Sequence, residues 1–466
     1  MDSLLQTTEG TVNGVAPSIS FEGPEVDDNP GGLAPPDPNI AVGPNHIVAS
    51  VNVVTEIYDK SGNSLVGPFP LNDLWSGFGG PCENDNDGYP IALYDPFNNR
   101  FVLTQFAVST GQHLCVAVST SADPTGSYYL YAFDFVDFPD YPKFGITSDA
   151  LLVSVRNFGA SLDMQAAAMD YPAMRMGDPS TLIVHSITDL LGDVDGFLPI
   201  NADSSINTVG GISVGDTPGN FVGFEQGPDR LELLQLDPDF DTPGNSTLTA
   251  VNSLSVAPFD PSFCGGLFPG CIDQPSTTND LDALSYFMMH RAATRLIDGD
   301  LHMVVNHTVD VDGTDRAGIR WYELASTGAG GNWEVVQSGT FSPDTNDRWM
   351  GSASFNGRGD ILIGYSVSGE DPDDTTPPDI RYAAQIRGTP SGLLNVSETT
   401  ILEGPGVQTN PSRWGDYTAM VPDPSDPSAG WYINQYIPID SAFNWRTRIA
   451  KISLPGDSVF NDRFED

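Results

Sequence analysis

Basic residues are scarce in this sequence. Its 466 residues include 19 lysines and arginines against 62 aspartates and glutamates, which gives a formal net charge of −43. The only lysines are Lys60, Lys143 and Lys451. Such an excess of carboxylates repels nucleic acid and anionic membranes over most of the surface. We therefore expect no nucleic-acid partner and interpret the charge as a solvated acidic surface that keeps the protein soluble in saline surroundings.

Long apolar segments are also absent. No stretch approaches 18 consecutive apolar residues, and Met1–Leu5 has neither the basic nor the apolar region of a signal peptide. We expect a soluble protein without membrane insertion, from which any export signal has been removed. Charged residues make up only 17% of the chain, whereas it contains 48 glycines and 38 prolines. This composition is typical of short strands and many turns, and it excludes a coiled coil, a helical bundle and a disordered chain.

Cysteine is limited to two local pairs. Cys82 and Cys115 flank one predicted strand pair, and Cys264 and Cys271 lie in the sequence CGGLFPGC. An even number of cysteines at short range predicts two disulfide bonds formed in an oxidising compartment. A metal site built from all four thiolates is the alternative, and it is disfavoured because no CxxC pair is present.

Several motifs of nucleotide binding and catalysis are missing. The chain has no GxGxxG that follows a strand and opens a helix, no GxxxxGK[ST], no HExxH and no GxSxG. Nucleotide binding and the nucleophile-elbow chemistry of many hydrolases are therefore disfavoured.

What the sequence does contain is an internal repeat. Three similar segments open with Asp37-Pro38, Tyr89-Pro90 and Tyr141-Pro142, whose prolines are 52 residues apart. Each opening is followed by a turn and an alternating apolar strand, namely HIVASVNVV, RFVLTQFAV and ALLVSVRNF. Four further strand–turn–strand units start near Thr208, Phe287, Asp347 and Ser412. The chain thus contains seven units.

Seven such units predict an all-β fold, a seven-bladed β-propeller of four-stranded antiparallel blades. Radial repetition buries both faces of each sheet and leaves only short edges. The last unit has three obvious strands, and we predict that an N-terminal strand within Ala16–Gly23 completes it and closes the ring. The predicted organisation is an N-terminal segment over residues 1–30, a single propeller domain over 31–456 and a tail over 457–466. Repeated WD or kelch signatures are absent, so the ring is not one of those interaction propellers by motif.

The order of several motifs resembles that of an uncharacterised family of exported bacterial propeller proteins, distantly sialidase-like in architecture. The motifs are PPDPNIAVGPNH from Pro35, YPIALYDPFNNRFVLTQF from Tyr89, YAFDFVDFPDYPKFG from Tyr131, NHTVD from Asn306, RAGIRWYEL from Arg316, RWMGS from Arg348 and SRWGDY from Ser412. This resemblance implies a seven-bladed architecture and a secreted or cell-surface protein, more than it implies a chemistry. The tail DSVFNDRFED is similar to a C-terminal ending of exported proteins, although Arg463 replaces the usual glycine; a frayed acidic terminus is the alternative.

The residues that open each unit are candidates for a ligand site, because the innermost strands of a propeller line its axis. They bring basic side chains into an acidic protein, and guanidinium groups that converge on one axis repel each other unless carboxylates or a bound anion compensate. We predict ligand binding by Tyr141, Lys143, His290, Arg291, Arg348 and Arg413. The candidates for acid, base or nucleophile are His307, Asp416 and Tyr417.

A structural role for the same residues is the competing interpretation. Arg348 and Arg413 would then pair with neighbouring carboxylates such as Asp347, Asp282 or Asp416, while Trp349 and Trp414 pack between the sheets. His307 lies in the apolar strand VVNHTV, where a lone histidine is more often a core residue than a catalyst. The same reservation applies to His290 beside Arg291.

Short acidic turns predict calcium ligands. Asp85 and Asp87 lie in NDNDG, Asp310 and Asp312 lie in DVDG, and a second DVDG begins at Asp193. Alternate side-chain oxygens in this pattern suit Ca²⁺, and the glycine permits the turn. No copy continues to the glutamate at the twelfth position of an EF-hand, and plain Asp–Gly turns are the alternative. A structural Ca²⁺ ion is the one cofactor that the sequence indicates.

Together these features predict an extracellular β-propeller that binds an anionic or polar ligand, with a saccharide as the favoured class, at an arginine-rich axial site. The first alternative is a glycan-cleaving enzyme, either a glycoside hydrolase or a polysaccharide lyase, acting on an acidic polysaccharide. The second alternative is a structural protein of a surface layer or filament. The sequence does not decide between binding and catalysis.

Overall fold

The computed structural model describes residues 2–29, 31–192, 194–203, 219–225, 229–266, 268–326, 332–371 and 374–455. These residues form one nine-stranded and five four-stranded β-sheets. The α-helices of the described part are single turns, α1 (Pro81–Asn84), α2 (Tyr171–Met174) and α3 (Thr188–Leu191). The prediction of an all-β fold is confirmed, and the repeated four-stranded antiparallel sheets are consistent with a propeller.

The chain begins with two strands that join sheets formed much later, β1 (Leu5–Gln6) and β2 (Ile19–Glu25). The first four-stranded sheet then contains β3 (Asn39–Val42), β4 (His46–Val51), β5 (Val54–Asp59) and β6 (Ser64–Pro70). The second contains β7 (Gly88–Asp95), β8 (Arg100–Ala107), β9 (His113–Ser119) and β10 (Tyr128–Asp134). The third contains β11 (Phe138–Ile146), β12 (Ala150–Phe158), β13 (Leu162–Asp170) and β14 (Leu182–Ser186). All three are antiparallel meanders in which spatial order follows chain order.

The nine-stranded sheet consists of two such meanders joined side by side. One contains β15 (Leu198–Ala202), β16 (Gly219–Glu225), β17 (Arg230–Asp237) and β18 (Thr247–Ser255). The other contains β19 (Met289–Ile297), β20 (Asp300–Asp310), β21 (Ala317–Ser326) and β22 (Trp333–Phe341). Strands β15 and β19 pair in parallel, and β1 pairs in parallel with β22 at the outer edge.

This merged sheet differs from the separate blades that the repeat predicts. Strand β15 keeps its antiparallel pairing with β16 only at Leu198 and Pro199. The backbone of the next three residues, Ile200–Ala202, is therefore available to pair with β19. The predicted start of this unit near Thr208 lies outside the described residues, and the unit's first strand is in fact β15.

Two further four-stranded sheets complete the fold. One is the meander β23 (Asp347–Phe355), β24 (Ile361–Asp371), β25 (Asp374–Gln385) and β26 (Val396–Leu402). The other contains β27 (Ala419–Pro422), β28 (Ala429–Tyr436) and β29 (Arg446–Ser453), with β2 as its fourth strand. Strand β2 pairs antiparallel with β29, from Ile19 opposite Lys451 to Glu25 opposite Arg446. The N-terminal strand thus joins the last unit, as the sequence predicts.

Burial follows a radial order within the sheets. Strands β3, β4 and β12 are buried along almost their whole length, whereas the fourth strands β6 and β18 are largely exposed. First strands also contact each other from sheet to sheet, in the order β3, β7, β11, β15, β19, β23 and β27, and β27 contacts β3. A strand with a sheet on either side is apolar on both faces, which explains the continuous apolar runs in the sequence.

Both predicted disulfide bonds are present. Cys82 is bonded to Cys115 and Cys264 to Cys271. Across the described residues, no helix is long and apolar enough to cross a membrane.

Candidate axial binding site

The first strands open with an unusual backbone that gathers side chains at one end of the molecule. Asp37, Tyr89, Tyr141, Met350 and Asp416 all have a positive φ, between 50° and 57°. Positive φ is uncommon outside glycine. Because it recurs at equivalent places in the repeat, we infer that the units share one backbone geometry at this point. In β7, β11 and β23 the residue lies at a β-bulge, which redirects the side chain.

Lys143 lies at the centre of this region. It is only 1% exposed, and its Nζ lies 3.3 Å from the ring centroid of Tyr141 and 4.1 Å from that of Tyr417. Within the described chain, no carboxylate lies within ion-pairing distance of this amine, and its hydrogen-bond acceptor is the Pro142 carbonyl at 3.5 Å. Two aromatic faces therefore stabilise a cation that has no direct ionic partner. Burial lowers the pKa of Lys143 to about 7, against the opposing attraction of Asp37 and Asp416.

Asp37 is a buried carboxyl group without a partner. It is 1% exposed, and neither side-chain oxygen has a hydrogen-bond partner in the described structure. Burial, and next the negative charge of Asp416, raise the pKa of Asp37 well above its usual value, while Lys143, Arg413 and the nearby side chain of Asn52 act in the opposite direction. The Asn52 amide donates to the Pro35 carbonyl at 3.0 Å, so it does not form a hydrogen bond of regular geometry with Asp37. A buried acceptor without a hydrogen bond lowers the free energy of unfolding. Such a group is therefore a candidate for contact with a ligand or a water molecule, or for a catalytic role.

Arg413 connects the cluster to the protein surface. Its guanidinium contacts the carboxylate of Asp416, and its Nε lies 2.8 Å from Oδ2 of Asp282. The same group lies 4.7 Å from the ring centroid of Phe268, a side chain that is half exposed. Burial raises the pKa of Asp282 to about 8. Arg413 is thus paired with the carboxyl groups of Asp416 and Asp282, as the structural interpretation describes.

Two tyrosine hydroxyls fix the walls of the site. The hydroxyl of Tyr141 donates to the Asp416 carbonyl at 2.9 Å, and that of Tyr417 donates to the Pro90 carbonyl at 3.1 Å. The two ring centroids are 6.2 Å apart. Because both hydroxyls are engaged with backbone, the rings present their faces rather than their polar ends to Lys143. We name Asp37, Tyr89, Tyr141, Lys143, Asp416 and Tyr417 the axial cluster.

One long connection covers the axial cluster. Residues 256–288, between β18 and β19, form this cap segment, within which residue 267 is not described. Asp282 accepts the Trp414 backbone N–H at 2.9 Å, and its own N–H donates to the Ser412 carbonyl at 2.8 Å. Phe287 packs on Tyr141, with ring centroids 5.1 Å apart. The disulfide Cys264–Cys271 stabilises the middle of the cap segment.

His290 and Arg291 lie further along the first strands. The Nε2 of His290 is 3.1 Å from the Asn39 side-chain nitrogen, and its ring centroid is 5.7 Å from that of Tyr417. Both terminal nitrogens of Arg291 contact the Asp203 carboxylate, and the distance from Nη1 to Oδ2 is 2.8 Å. Both residues line a cavity of about 30 Å³, the space of roughly one water molecule. Burial, and next the charge of Lys143, lower the pKa of His290 well below its usual value.

Arg348 does not join the axial cluster. Its guanidinium lies 2.7 Å from Asp344 and 2.8 Å from Glu398, and it is fully buried. Arg381 shares Glu398 at 2.8 Å, so the group forms a buried ionic network beside β26. The predicted convergence of several arginines is therefore absent from the described contacts of Arg291, Arg348 and Arg413. The neighbouring Trp349 and Trp414 pack together, with ring centroids 5.9 Å apart.

His307 lies on β20, and aromatic rings from other parts of the chain enclose it. Its ring lies 4.7 Å from Phe224 and 4.8 Å from Phe259, and it stacks on Tyr322 at 5.7 Å. Burial lowers the pKa of His307 to about 3. None of its described contacts involves Asp416 or Tyr417. The structure thus places His307 in the core, apart from the other two candidates for catalysis.

The predicted calcium ligands hold turns together. Asp85 accepts a hydrogen bond from the Thr110 backbone N–H. Asp87 accepts from the backbone N–H groups of Val108 and Ser109. Asp310 accepts from the backbone of Asp312, Gly313 and Asp315, and Asp312 accepts from Thr314. No group of three or more acidic, histidine or cysteine side chains converges anywhere in the described ranges. A bound Ca²⁺ stays a prediction, and Asp193 lies outside the described residues.

Some residues of the site follow from the repeat and others do not. Asp37 and Tyr89 open their units in front of a proline, as Tyr141 does, so their equivalence was visible in the repeat. Asp140, Arg156 and Phe287 reach the site through β11, β12 and the cap segment, and no sequence signal distinguishes them.

Comparisons with known proteins find only distant structural likeness. No family model and no curated protein matches the chain. The polysaccharide lyase Uly1 is 12% identical over 97% of each chain, with a TM-score of 0.39. The α-L-arabinofuranosidase Arb93A from Fusarium graminearum is 8% identical over 95% of this chain and 98% of its own, with a TM-score of 0.38. The WD40 domain of SCAP from fission yeast is 9% identical over 88% and 83%, with a TM-score of 0.38. These scores are below 0.5, so the likenesses carry no argument about function.

Proposed function

We propose that the protein is an extracellular, single-domain β-propeller of seven blades that binds a polar ligand, with a saccharide as the proposed class, at the axial cluster. The contact of β27 with β3 supports a closed ring, and β15–β18 and β19–β22 serve as its fourth and fifth blades. In this organisation the domain covers residues 31–456, β2 is the latch within residues 1–30, and residues 457–466 are a tail. Two disulfide bonds support an oxidising, extracellular setting.

The unsatisfied carboxyl of Asp37 is the observation that carries the proposed site. Its two buried oxygens can accept hydrogen bonds from ligand hydroxyls, which would remove the cost of leaving them without partners. The rings of Tyr89 and Tyr141, with centroids 6.3 Å apart, offer apolar surface beside these acceptors. A saccharide suits this arrangement, because its hydroxyls can donate to the Asp37 oxygens while the apolar face of a sugar ring packs on the tyrosine rings. The cluster member Tyr89 and Arg413, which contacts Asp416, are partly exposed, and a ligand would enter beside them.

Charge favours an uncharged ligand over an anionic one. Arg291, Arg348 and Arg413 each contact at least one carboxyl group, so none offers a free guanidinium for an anion. Lys143 has no ionic partner among the described residues, but it is enclosed by two aromatic rings and burial lowers its pKa to about 7, which reduces its charge. The net charge of −43 repels acidic polymers from the surrounding surface. We therefore narrow the predicted anionic or polar ligand to a polar, uncharged one.

Equilibrium binding of defined oligosaccharides tests this function. Xylohexaose, arabinohexaose, laminarihexaose and an alginate hexamer are titrated by calorimetry against wild-type protein and the Asp37→Asn variant. We expect Asp37→Asn to weaken binding of an uncharged hexasaccharide by about two- to tenfold, because one acceptor oxygen is replaced by a nitrogen that only donates and one hydrogen bond from the ligand is lost.

The matched control is Asp298→Asn, which alters a carboxylate on a side chain that is 83% exposed. It should bind like the wild type. Absence of binding to every saccharide, or equal affinity of the wild type and Asp37→Asn, would remove the proposed site.

A glycan-cleaving enzyme is the second candidate, favoured by two carboxyl groups in one cluster. Asp37 has a pKa raised by burial and by Asp416, so its carboxyl can donate a proton to a glycosidic oxygen. Asp416, in contact with Arg413, would be the second carboxylate. New reducing ends or unsaturated products from the same saccharides, lost in Asp37→Asn, would establish cleavage. If no product forms with or without Ca²⁺, the protein is a binding module.

A further inference from the structure

A continuous row of aromatic rings leads from the protein surface to the axial cluster. Phe158 at the end of β12 is 40% exposed, and it lies directly opposite Phe138 in the antiparallel pair, with ring centroids 6.4 Å apart. Phe138 is 5.8 Å from Phe106, and Phe106 is 4.7 Å from Tyr89. Phe106 is itself buried, at 5% exposed, so it supports the partly exposed rings of Phe138 and Tyr89 from beneath. We name Phe158, Phe138, Phe106 and Tyr89 the aromatic row. Tyr89 belongs to both the row and the axial cluster, so the two are continuous.

Arg156 holds the outer end of the row in place. Its guanidinium lies 5.0 Å from the Phe158 ring and 4.9 Å from Phe287, which in turn packs on Tyr141. Its Nε is 2.8 Å from one oxygen of Asp195 and 2.9 Å from the other. Phe158 is therefore fixed from one side by a neutralised arginine, while part of its ring faces solvent. A surface that is rigid before binding loses little conformational freedom on contact with a ligand.

The surroundings of Phe158 suit sugar hydroxyls and apolar sugar faces. Val136, on the loop that precedes β11, is 92% exposed. The same loop touches the end of β12, since a Cβ on Gly159 would lie 2.5 Å from the Asp137 carboxylate. The Asp137 carboxylate, next to Gly159, places acceptors near Phe158, whereas the Asp140 carboxylate lies 3.8 Å from the Arg156 guanidinium. Arg156, the one basic side chain described in contact with the aromatic row, is itself paired, so the row attracts no anion.

We propose that the aromatic row is an outer binding track for an extended, uncharged polysaccharide chain. Sugar rings stack on Phe158 and Phe138, and one end of the chain reaches the axial cluster past Tyr89. This inference rests on the proposed function of the axial cluster and extends it from a single sugar to a chain. It predicts that affinity rises with chain length and that the gain depends on Phe158.

Binding as a function of chain length tests the row. Disaccharides and hexasaccharides of xylose, arabinose and β-1,3-glucose are titrated against full-length wild type, Phe158→Ala and Asp37→Asn. We expect Phe158→Ala to weaken hexasaccharide binding by about three- to tenfold, the range for loss of one aromatic stacking contact, and to leave disaccharide binding unchanged. Phe158→Trp should restore the chain-length dependence.

Phe78→Ala is the matched control, because Phe78 is 43% exposed but is not part of the row. It should bind all chains like the wild type. If Phe158→Ala matches the wild type for hexasaccharides while Asp37→Asn weakens binding, the track is wrong and the axial site stands. If no saccharide binds, both fail. Tighter binding of an alginate hexamer than of every neutral chain would overturn the choice of an uncharged polymer.

Discussion

At the scale of single residues, Lys143 shows how this protein places a charge in its interior. The amine has aromatic faces on two sides and no carboxylate in direct contact, although Asp37 and Asp416 act on it electrostatically. An ordinary buried lysine finds an ionic partner. The arrangement holds Lys143 close to its titration point, so its contribution to stability depends on pH near neutrality.

The contribution of Lys143 to stability should rise with pH between about 7 and 9.5. Its pKa is about 7 in the folded protein and 10.5 in the unfolded chain, so the unfolded state binds more protons in this window. Each pH unit then adds about 1 kcal/mol to the free energy of unfolding. In Lys143→Met this gain should disappear, as measured by urea unfolding from pH 7 to 9.5.

Lys451→Met provides the comparison for that experiment. The carboxylates Asp426 and Asp423 hold the pKa of Lys451 above its usual value despite partial burial, so its removal should leave the rise intact. Equal slopes in Lys143→Met and wild type would show that Lys143 is fully charged in the folded state throughout the range.

His307 should give a dependence of the same sign at lower pH, a loss of stability on acidification. Burial among aromatic rings keeps its folded pKa near 3, whereas the unfolded histidine takes up a proton below about 6.5. The unfolded state therefore binds more protons between pH 3 and 6.5, and stability falls as pH decreases through this window. Between pH 6.5 and 4 the loss attributable to His307 should be about 3 kcal/mol. Urea unfolding of His307→Gln, compared with wild type at both pH values, measures it.

The control for His307 is His185→Gln, since His185 is only partly buried. Its pH dependence should stay close to that of the wild type. A wild type and a His307→Gln variant that lose equal stability on acidification would contradict the assignment of His307 as a neutral core residue.

The sequence predicts those parts of the site that depend on local features, and it does not predict which distant residues pair with buried charges. The repeat aligns Tyr141 with Tyr89 and Asp37, and it places Asp416 and Tyr417 at an equivalent position, because these features are local. Arg348 instead pairs with Glu398, 50 residues away in the chain. Contacts of this kind depend on the docking of sheets, and the sequence therefore suggested an arginine cluster that the described contacts do not contain.

At the scale of elements, the alternation of apolar residues predicts most strands. Irregular segments and their contacts are harder to predict from the sequence. The hairpins follow the turn signals, as in β7–β8, where Asp95 accepts the backbone N–H groups of Phe97 and Asn98. The parallel pairing of β15 with β19 was not predicted, because it depends on how briefly β15 pairs with β16. The cap segment has almost no regular structure, and the sequence predicts little of it beyond its disulfide bond.

Removal of the latch strand β2 should destabilise the whole molecule. Without it, β29 becomes an exposed edge, and buried side chains such as Ile449 lose cover. A chain lacking residues 1–28 should lose several kcal/mol of stability and associate through the free edge. Thermal unfolding and size-exclusion chromatography measure both effects.

A truncation that keeps β2 separates this effect from general trimming. A chain lacking residues 1–9 loses β1 and the Asp2–Arg320 ion pair but retains the latch. It should remain monodisperse and unfold cooperatively. If both truncations behave alike, β2 does not close the structure.

At the scale of the whole molecule, acidity and architecture point to the same type of ligand. Carboxylates outnumber basic groups more than threefold, and the arginines of the predicted site are paired. The first strands gather aromatic rings and an unsatisfied carboxyl at one end of the ring that we propose. A polar, uncharged chain satisfies the carboxyl and covers the rings without meeting electrostatic repulsion.

A crystal structure of the protein with the hexasaccharide that binds most tightly tests this account most directly. We predict a sugar hydroxyl within hydrogen-bonding distance of an Asp37 oxygen and a sugar ring against Tyr89, inside a ring of seven four-stranded blades. A saccharide bound elsewhere, with no ligand contact to Asp37, or a different number of blades around the axis, would contradict it.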